Sequence, residues 1–167
     1  MGITNIFRNQ LSAVIQWNAD KQQYLWYKYP SKTDEIKNAS KLIVGPGQGA
    51  VLVYEGKIVD VLTEEGTFNL KTDNHPFFTT LVNMRQNFES EHKLQIYFFR
   101  KAQVTNQQWG TASPVKFIDA QYEIPVEMGA NGTFSYQISD VEHFFTNIVG
   151  TRTEVDNEEI RQLMLGR

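Results

Sequence analysis

Along the chain, short runs of alternating apolar and polar residues are separated by glycine-containing turns. A period of two bounded by turn residues marks β-strands, and a period near 3.6 marks amphipathic helices. The clearest block is Lys41 to Leu70. Leu42 to Val44 and Val51 to Tyr54 read as strands, Glu55-Gly56 supplies a tight reversal, Ile58 to Leu62 returns as a partner strand, and Glu65-Gly66 turns the chain into Thr67 to Leu70. Tyr24 to Tyr29, closed by Pro30, reads as a half-buried strand with Tyr24, Trp26 and Lys28 on one face and Leu25, Tyr27 and Tyr29 on the other. Leu94 to Arg100, Val115 to Ile118 and Tyr122 to Met128 add three more. Asn131-Gly132 tolerates positive φ and is expected to turn Tyr122 to Met128 into Thr133 to Ile138.

Helical spacing appears in five places. Ile3, Ile6, Phe7, Leu11, Val14 and Ile15 share one face of the first 17 residues, with Trp17 close behind, while Asn5, Arg8, Asn9, Ser12 and Gln16 fill the other. This amphipathic N-terminal helix either lies in a lipid headgroup region, anchored by Phe7 and Trp17, or docks on its own domain. Its polar face carries one cation, Arg8, fewer than interfacial helices usually present. Ser31 or Thr33 is an N-cap for a short helix with Asp34 and Glu35 in its first turn. Phe77, Phe78, Leu81 and Met84 form a core stripe, and Ser139-Asp140 caps a helix carrying Phe144, Phe145, Ile148 and Val149 that stops at Gly150. A last helix is expected from about Val155 to Leu165, with Asp156 near its start and Ile160, Leu163 and Met164 on one side.

Composition removes several classes. The 167 residues suit one domain with a real core. A net charge of −3 without a basic block leaves no nucleic-acid footprint, and the absence of cysteine excludes disulfides, thiolate zinc sites and thiol nucleophiles. No stretch approaches the roughly 18 apolar residues that span a bilayer. Gly2 follows Met1, but Ile6 stands where an N-myristoylation signal needs Ser or Thr. The triplets Asn38-Ala39-Ser40 and Asn131-Gly132-Thr133 are read as chance, since no signal peptide precedes them.

Candidate chemistry is sparse. Gly45-Pro46-Gly47-Gln48-Gly49 leads into a strand rather than a helix and lacks the Lys-Ser or Lys-Thr of a phosphate loop. His75, His92 and His143 fall in separate elements without metal-ligand spacing. Ser90-Glu91-His92 contains triad residue types, but neighbours on an extended strand point to opposite sides. No catalytic residue, cofactor or metal is therefore expected.

The Gly45 to Lys57 block, the Glu65-Gly66 turn, Thr72-Asp73-Asn74-His75-Pro76, Phe98-Phe99, and Phe134-Ser135-Tyr136-Gln137-Ile138-Ser139-Asp140 occur in an order that resembles the SPFH or Band 7 domain of stomatins, prohibitins and flotillins, in particular a bacterial virion-core-protein-like branch. The resemblance covers nearly the whole chain. It implies an α+β fold with a curved, mostly antiparallel sheet flanked by helices, and a non-catalytic scaffold that self-associates and organises membrane patches or partner proteins. Membrane-associated stress proteins of the phage-shock type are the partners it implies, at the cytoplasmic face of the membrane. Family members often carry a hydrophobic segment ahead of the domain and a long helical region after it. Accordingly residues 1–17 are expected as the amphipathic helix, 18–150 as the SPFH-like domain, and 151–167 as the start of a helical region continuing past Arg167. Lipid contact is assigned to Ile3, Ile6, Phe7, Leu11, Val14, Ile15 and Trp17. The competing expectation is a soluble peptide- or ligand-binding module whose aromatic pocket is lined by Trp26, Phe77 and Trp109.

Overall fold

The computed structural model describes residues 13–18, 23–30, 39–70, 73, 75–87 and 94–166. In chain order the strands are β1 (Ala13–Gln16), β2 (Tyr24–Lys28), β3 (Ala39–Val44), β4 (Gln48–Tyr54), β5 (Lys57–Leu62), β6 (Gly66–Asn69), β7 (Leu94–Arg100), β8 (Val104–Gly110), β9 (Val115–Ile118), β10 (Pro125–Met128), β11 (Asn131–Tyr136) and β12 (Glu154–Asp156). The helices are α1 (Pro76–Asn87), α2 (Val141–Phe144), which continues as a π-helical stretch over Phe145–Val149, and α3 (Asn157–Met164). The fold is α+β with mostly antiparallel pairing.

A five-stranded sheet in the order β12-β2-β7-β4-β5 organises the body, and each neighbouring pair is antiparallel. Its two central strands are apolar at nearly every position, so their alternation sends side chains into two cores rather than one core and solvent. Ala50, Leu52, Ile96 and Phe98 face one side, where they meet Phe77, Phe78 and Leu81 of α1 and Leu42 and Val44 of β3. Val51, Val53, Tyr97 and Phe99 face the other, under Phe145, Val149, Val155 and Ile160. A second sheet, β1-β3-β6, closes the first core, with β1 parallel and β6 antiparallel to β3.

Local chemistry explains the turns and caps. Glu55 and Gly56 both have positive φ (48° and 80°), the backbone of a two-residue hairpin turn whose twist matches the flanking β4 and β5. Asp140 accepts a hydrogen bond from the His143 N–H at 2.8 Å and so satisfies a donor that α2 leaves free. Asp156 does the same for α3 through the Glu159 N–H at 2.7 Å. Replacing Asp140 with alanine is expected to cost about 1 kcal/mol, typical of a lost cap. A melting point unchanged from the parent would contradict that assignment.

Four sequence-based expectations need correction. Residues Ala13–Gln16 are a strand, not the end of a helix. Val14 and Gln16 are exposed while Ile15 and Trp17 are buried, a period of two that the pairing with β3 enforces. Four residues fit either period, and tertiary pairing decides between them. The rest of the expected N-terminal helix, with Ile3, Ile6, Phe7 and Leu11, lies outside the described residues, as does the expected short helix at 31–36. Strand β2 is buried on both faces, not half-buried: Tyr24, Tyr27 and Tyr29 pack toward the first core, and Leu25 and Trp26 toward the second. Adjacent residues share a face there because the register against β12 slips between Trp26 and Tyr24.

Asn131-Gly132 is not a hairpin turn. Both residues lie within β11, paired with Gly110 and Trp109 of β8, and the true turn joins β9 to β10 through residues 119–124. Glycine is required at 132 because the Trp109 indole lies against it; a Cβ there would fall 2.8 Å from Trp109 Nε1. Finally, the last helix starts two residues later than expected, because 154–156 adds β12 to the sheet edge and Asp156 is the cap.

Candidate interaction surface

The chain between β7 and α2 forms an arm. β8 pairs with β11, and between them β9 pairs with β10, so residues 104–136 make two successive antiparallel ribbons. Thr111 joins the two ribbons: its N–H donates to Ala130 O at 2.9 Å, and its Oγ1 accepts from the Ala130 N–H at 3.1 Å. Its base is tied to the body. Val104 is buried in the second core, the Tyr136 hydroxyl donates to Asn157 O at 3.0 Å, and Arg161 Nε donates to Gln108 O at 3.1 Å. Burial pushes the Tyr136 phenol up, with Asp156 and Glu158 reinforcing the shift against Arg100, so this donor keeps its proton at neutral pH.

Beyond the base, the ribbon exposes apolar residues that would ordinarily be covered. Val115 is 59% exposed, Ile118 72%, Tyr122 69% and Met128 60%, and Phe117 and Ile124 are exposed as well. The register Val115↔Met128 and Phe117↔Val126 places these four residues on one face. Lys116↔Glu127 and Ile118↔Pro125 occupy the other, where Lys116 Nζ and Glu127 Oε1 form an ion pair of 2.8 Å. The pair is well exposed and contributes little by itself. A two-stranded ribbon alone is marginal in water, and exposed apolar residues gathered on one ribbon make it a candidate interaction surface. The turn at its tip is well built. Asp119 Oδ1 accepts from the N–H groups of Gln121 (2.9 Å) and Tyr122 (2.8 Å), and Glu123 holds φ at 55°.

The residues expected to do other work are placed as follows. Ile15 and Trp17 are buried in the first core and cannot meet a bilayer as placed, while Val14 is on the surface. Trp26 and Phe77 are fully buried in opposite cores and Trp109 sits on the arm, so the aromatic pocket of the competing expectation is not assembled. His75 is an N-terminal cap, accepting the Phe77 N–H on Nδ1 at 3.2 Å, and His143 lies in α2. Ser90, Glu91 and His92 lie outside the described residues. Among the described residues no group of three His, Asp or Glu side chains could hold a metal ion, and no helix is long and apolar enough to cross a membrane.

The glycine cluster is structural. Gly47 has φ 69°, its carbonyl accepts from the N–H groups of Lys101 (2.7 Å) and Ala102 (3.0 Å), and its own N–H meets the Glu65 carboxylate at 3.4 Å. A carboxylate therefore already faces the loop nitrogen that a phosphate would need. The cavity beside it, about 140 Å³, is lined by Trp17, Asn18, Pro46, Gly47, Gln48, Arg100 and Ala102.

Sequence reasoning identified β9 and the strand containing β10 but not their exposure, and it missed β8 altogether. A signal was present: in Val104-Thr105-Asn106-Gln107-Gln108-Trp109 neither alternating face is apolar enough to bury. Such a strand, pairing with β11, belongs outside the cores.

Residues 26–166 match the SPFH domain-Band 7 family. The "Uncharacterized protein YdjI" of Bacillus subtilis (strain 168) is 29% identical over 157 residues, which cover 94% of this chain and 48% of that protein. The chain thus spans about half the length of this relative. No solved structure matches. A family match that runs from within β2 to the end of α3, the arm included, on a mostly antiparallel α+β fold, leads to one conclusion: the chain belongs to the SPFH domain-Band 7 family.

Proposed function

We propose that this domain is a non-catalytic scaffold that self-associates and organises membrane-associated partner proteins at the cytoplasmic face of the membrane, in a response to envelope stress. The observation that carries this reading is the exposed apolar arm of residues 104–136, an extended surface that a solitary globule would bury and an assembling one presents. Family membership supports the same role, since domains of this type oligomerise and associate with membranes.

Membrane recruitment is assigned to the first residues of the chain, through Ile3, Ile6, Phe7 and Leu11, which recur at the spacing expected of one helix face. Ile15 and Trp17 no longer belong to that set, because they complete the first core. Flotation on vesicles of neutral and of anionic lipid tests the assignment. The intact chain should float, and replacing Ile6, Phe7 and Leu11 together with serine should abolish flotation while leaving the fold's melting point unchanged. Flotation that persists in the triple variant would remove these residues from the membrane contact.

A further inference from the structure

We propose that strand β9 is a self-recognition edge: it pairs antiparallel with β9 of a second copy across a two-fold axis at Phe117, merging two ribbons into one four-stranded sheet. This inference rests on the scaffold reading and names the surface through which copies meet.

The Asp119 N–H donates to Ile124 O at 2.9 Å, and in an antiparallel pair bonded and non-bonded residue pairs alternate. Phe117↔Val126 and Val115↔Met128 are then the bonded pairs, whereas Lys116↔Glu127 and Ile118↔Pro125 are not. The N–H and C=O groups of Lys116 and Ile118 therefore point away from β10, along an edge that no described strand covers. The opposite edge, on β10, is blunted by Pro125, which has no N–H to offer. Of the two edges of this ribbon, β9's is the one that offers a full set of donors.

The identical strand fits that edge. With the axis at Phe117, Lys116 of one copy faces Ile118 of the other, twice over, and the four outward N–H groups meet four outward carbonyls. No like charges become opposite neighbours, since Lys116 meets Ile118 and Val115 meets Asp119. Centring the axis one residue earlier would set Lys116 against Lys116, and centring it one residue later would pair Lys116 with Ala120 of the turn, so the Phe117 register is the one that uses the outward groups of both Lys116 and Ile118 within β9. The result is a face built from Val115, Phe117, Val126 and Met128 of both copies, continuous across the axis and bordered by Asp119 of each copy beside the other copy's Val115. An isologous contact requires this kind of self-complementarity. A bilayer of anionic lipid is the poorer occupant, because residues 115–128 carry Asp119, Glu123 and Glu127 against a single Lys116.

Because the chain has no cysteine, one introduced thiol per copy reports the contact directly. Phe117→Cys puts the two sulfurs at a non-hydrogen-bonded pair, where cross-strand side chains are closest, and should give a disulfide-linked dimer on mild oxidation. Val126→Cys lies a further strand away on each side and should not. Sedimentation of the full chain supplies the second readout. The double variant Lys116→Pro, Ile118→Pro removes only outward N–H groups and should lower the dimer fraction at least tenfold, whereas Glu127→Pro on the other edge should not change it. If the double variant associates like the parent and the Phe117→Cys chain does not cross-link, the β9 edge is overturned while self-association stands. If the parent is monomeric at all concentrations, the scaffold reading fails and takes this inference with it.

Discussion

Replacing Trp26 with alanine is expected to destabilise the fold by about 3–5 kcal/mol, the range for emptying a buried aromatic site. Trp26 has no exposed surface and stands at the meeting point of four rings: Tyr97 at 5.5 Å, Phe145 at 5.6 Å, Phe144 at 6.0 Å and Phe99 at 6.2 Å between centroids. These come from β7 and from the helical segment above the sheet, so the indole holds α2 and its π-helical continuation against β2. That layer cannot collapse freely into the space left behind, since β2 is pinned between β12 and β7. Trp26→Phe should cost much less. The indole Nε1 is buried without an acceptor, and removing it relieves a desolvation penalty that offsets part of the lost volume. Urea unfolding of the two variants checks the account; equal midpoints for Trp26→Phe and Trp26→Ala would contradict it.

The second large effect is expected from the smallest possible change, Gly49→Ala. Gly49 lies in β4 opposite Phe99, and its φ is not in the left-handed region, so the backbone itself tolerates alanine. Its surroundings do not. A Cβ would fall 2.3 Å from Phe99 Cζ, 2.4 Å from Phe99 Cε1 and 2.9 Å from the Leu62 carbonyl oxygen. Phe99 is buried against Trp26 and Leu62 O belongs to the β5 backbone, so neither neighbour can withdraw cheaply. Overpacking of this kind costs about 1–3 kcal/mol or more, which outweighs the roughly 0.4–1 kcal/mol that alanine returns by restricting the unfolded chain. Phe99→Leu should be less harmful in the Gly49→Ala background than in the parent, because it removes the ring atoms that clash. Additive effects of the two substitutions would mean that the close approach of Phe99 to Gly49 is not what makes glycine necessary.

Both effects concern residues whose importance is only partly legible along the chain. Trp26 stands out as part of an aromatic strand, but its burial depends on a register slip in β2 that no period reveals. Strands β3 to β7 are legible because each combines a clean period with a recognisable turn or boundary residue, whereas α1 is legible only as a roughly helical apolar stripe that fits a short helix or an irregular segment. The caps at Asp140 and Asp156 are legible for the same reason: a single side chain satisfies a local backbone donor. What failed is what long-range pairing decides. The residues of β1 fit a helix as well as a strand until β3 lies beside them, and Asn131-Gly132 is a turn by local preference but a strand once Trp109 covers it. The arm escaped notice for a different reason. Its strands carry ordinary β-forming residues, and exposure is a property of what they are not packed against, which a linear pattern does not encode.

The same distinction separates the two parts of the functional account. Family membership follows from an ordered set of blocks, whereas the interaction surface emerges only when β8 to β11 are seen to leave the body together. Sedimentation equilibrium of the intact chain over a wide concentration range tests the central claim most directly. Self-association through the exposed arm predicts a weight-average mass that rises with concentration in the parent and stays at the monomer value when Lys116 and Ile118 are both proline. A parent that remains monomeric throughout would contradict the scaffold account.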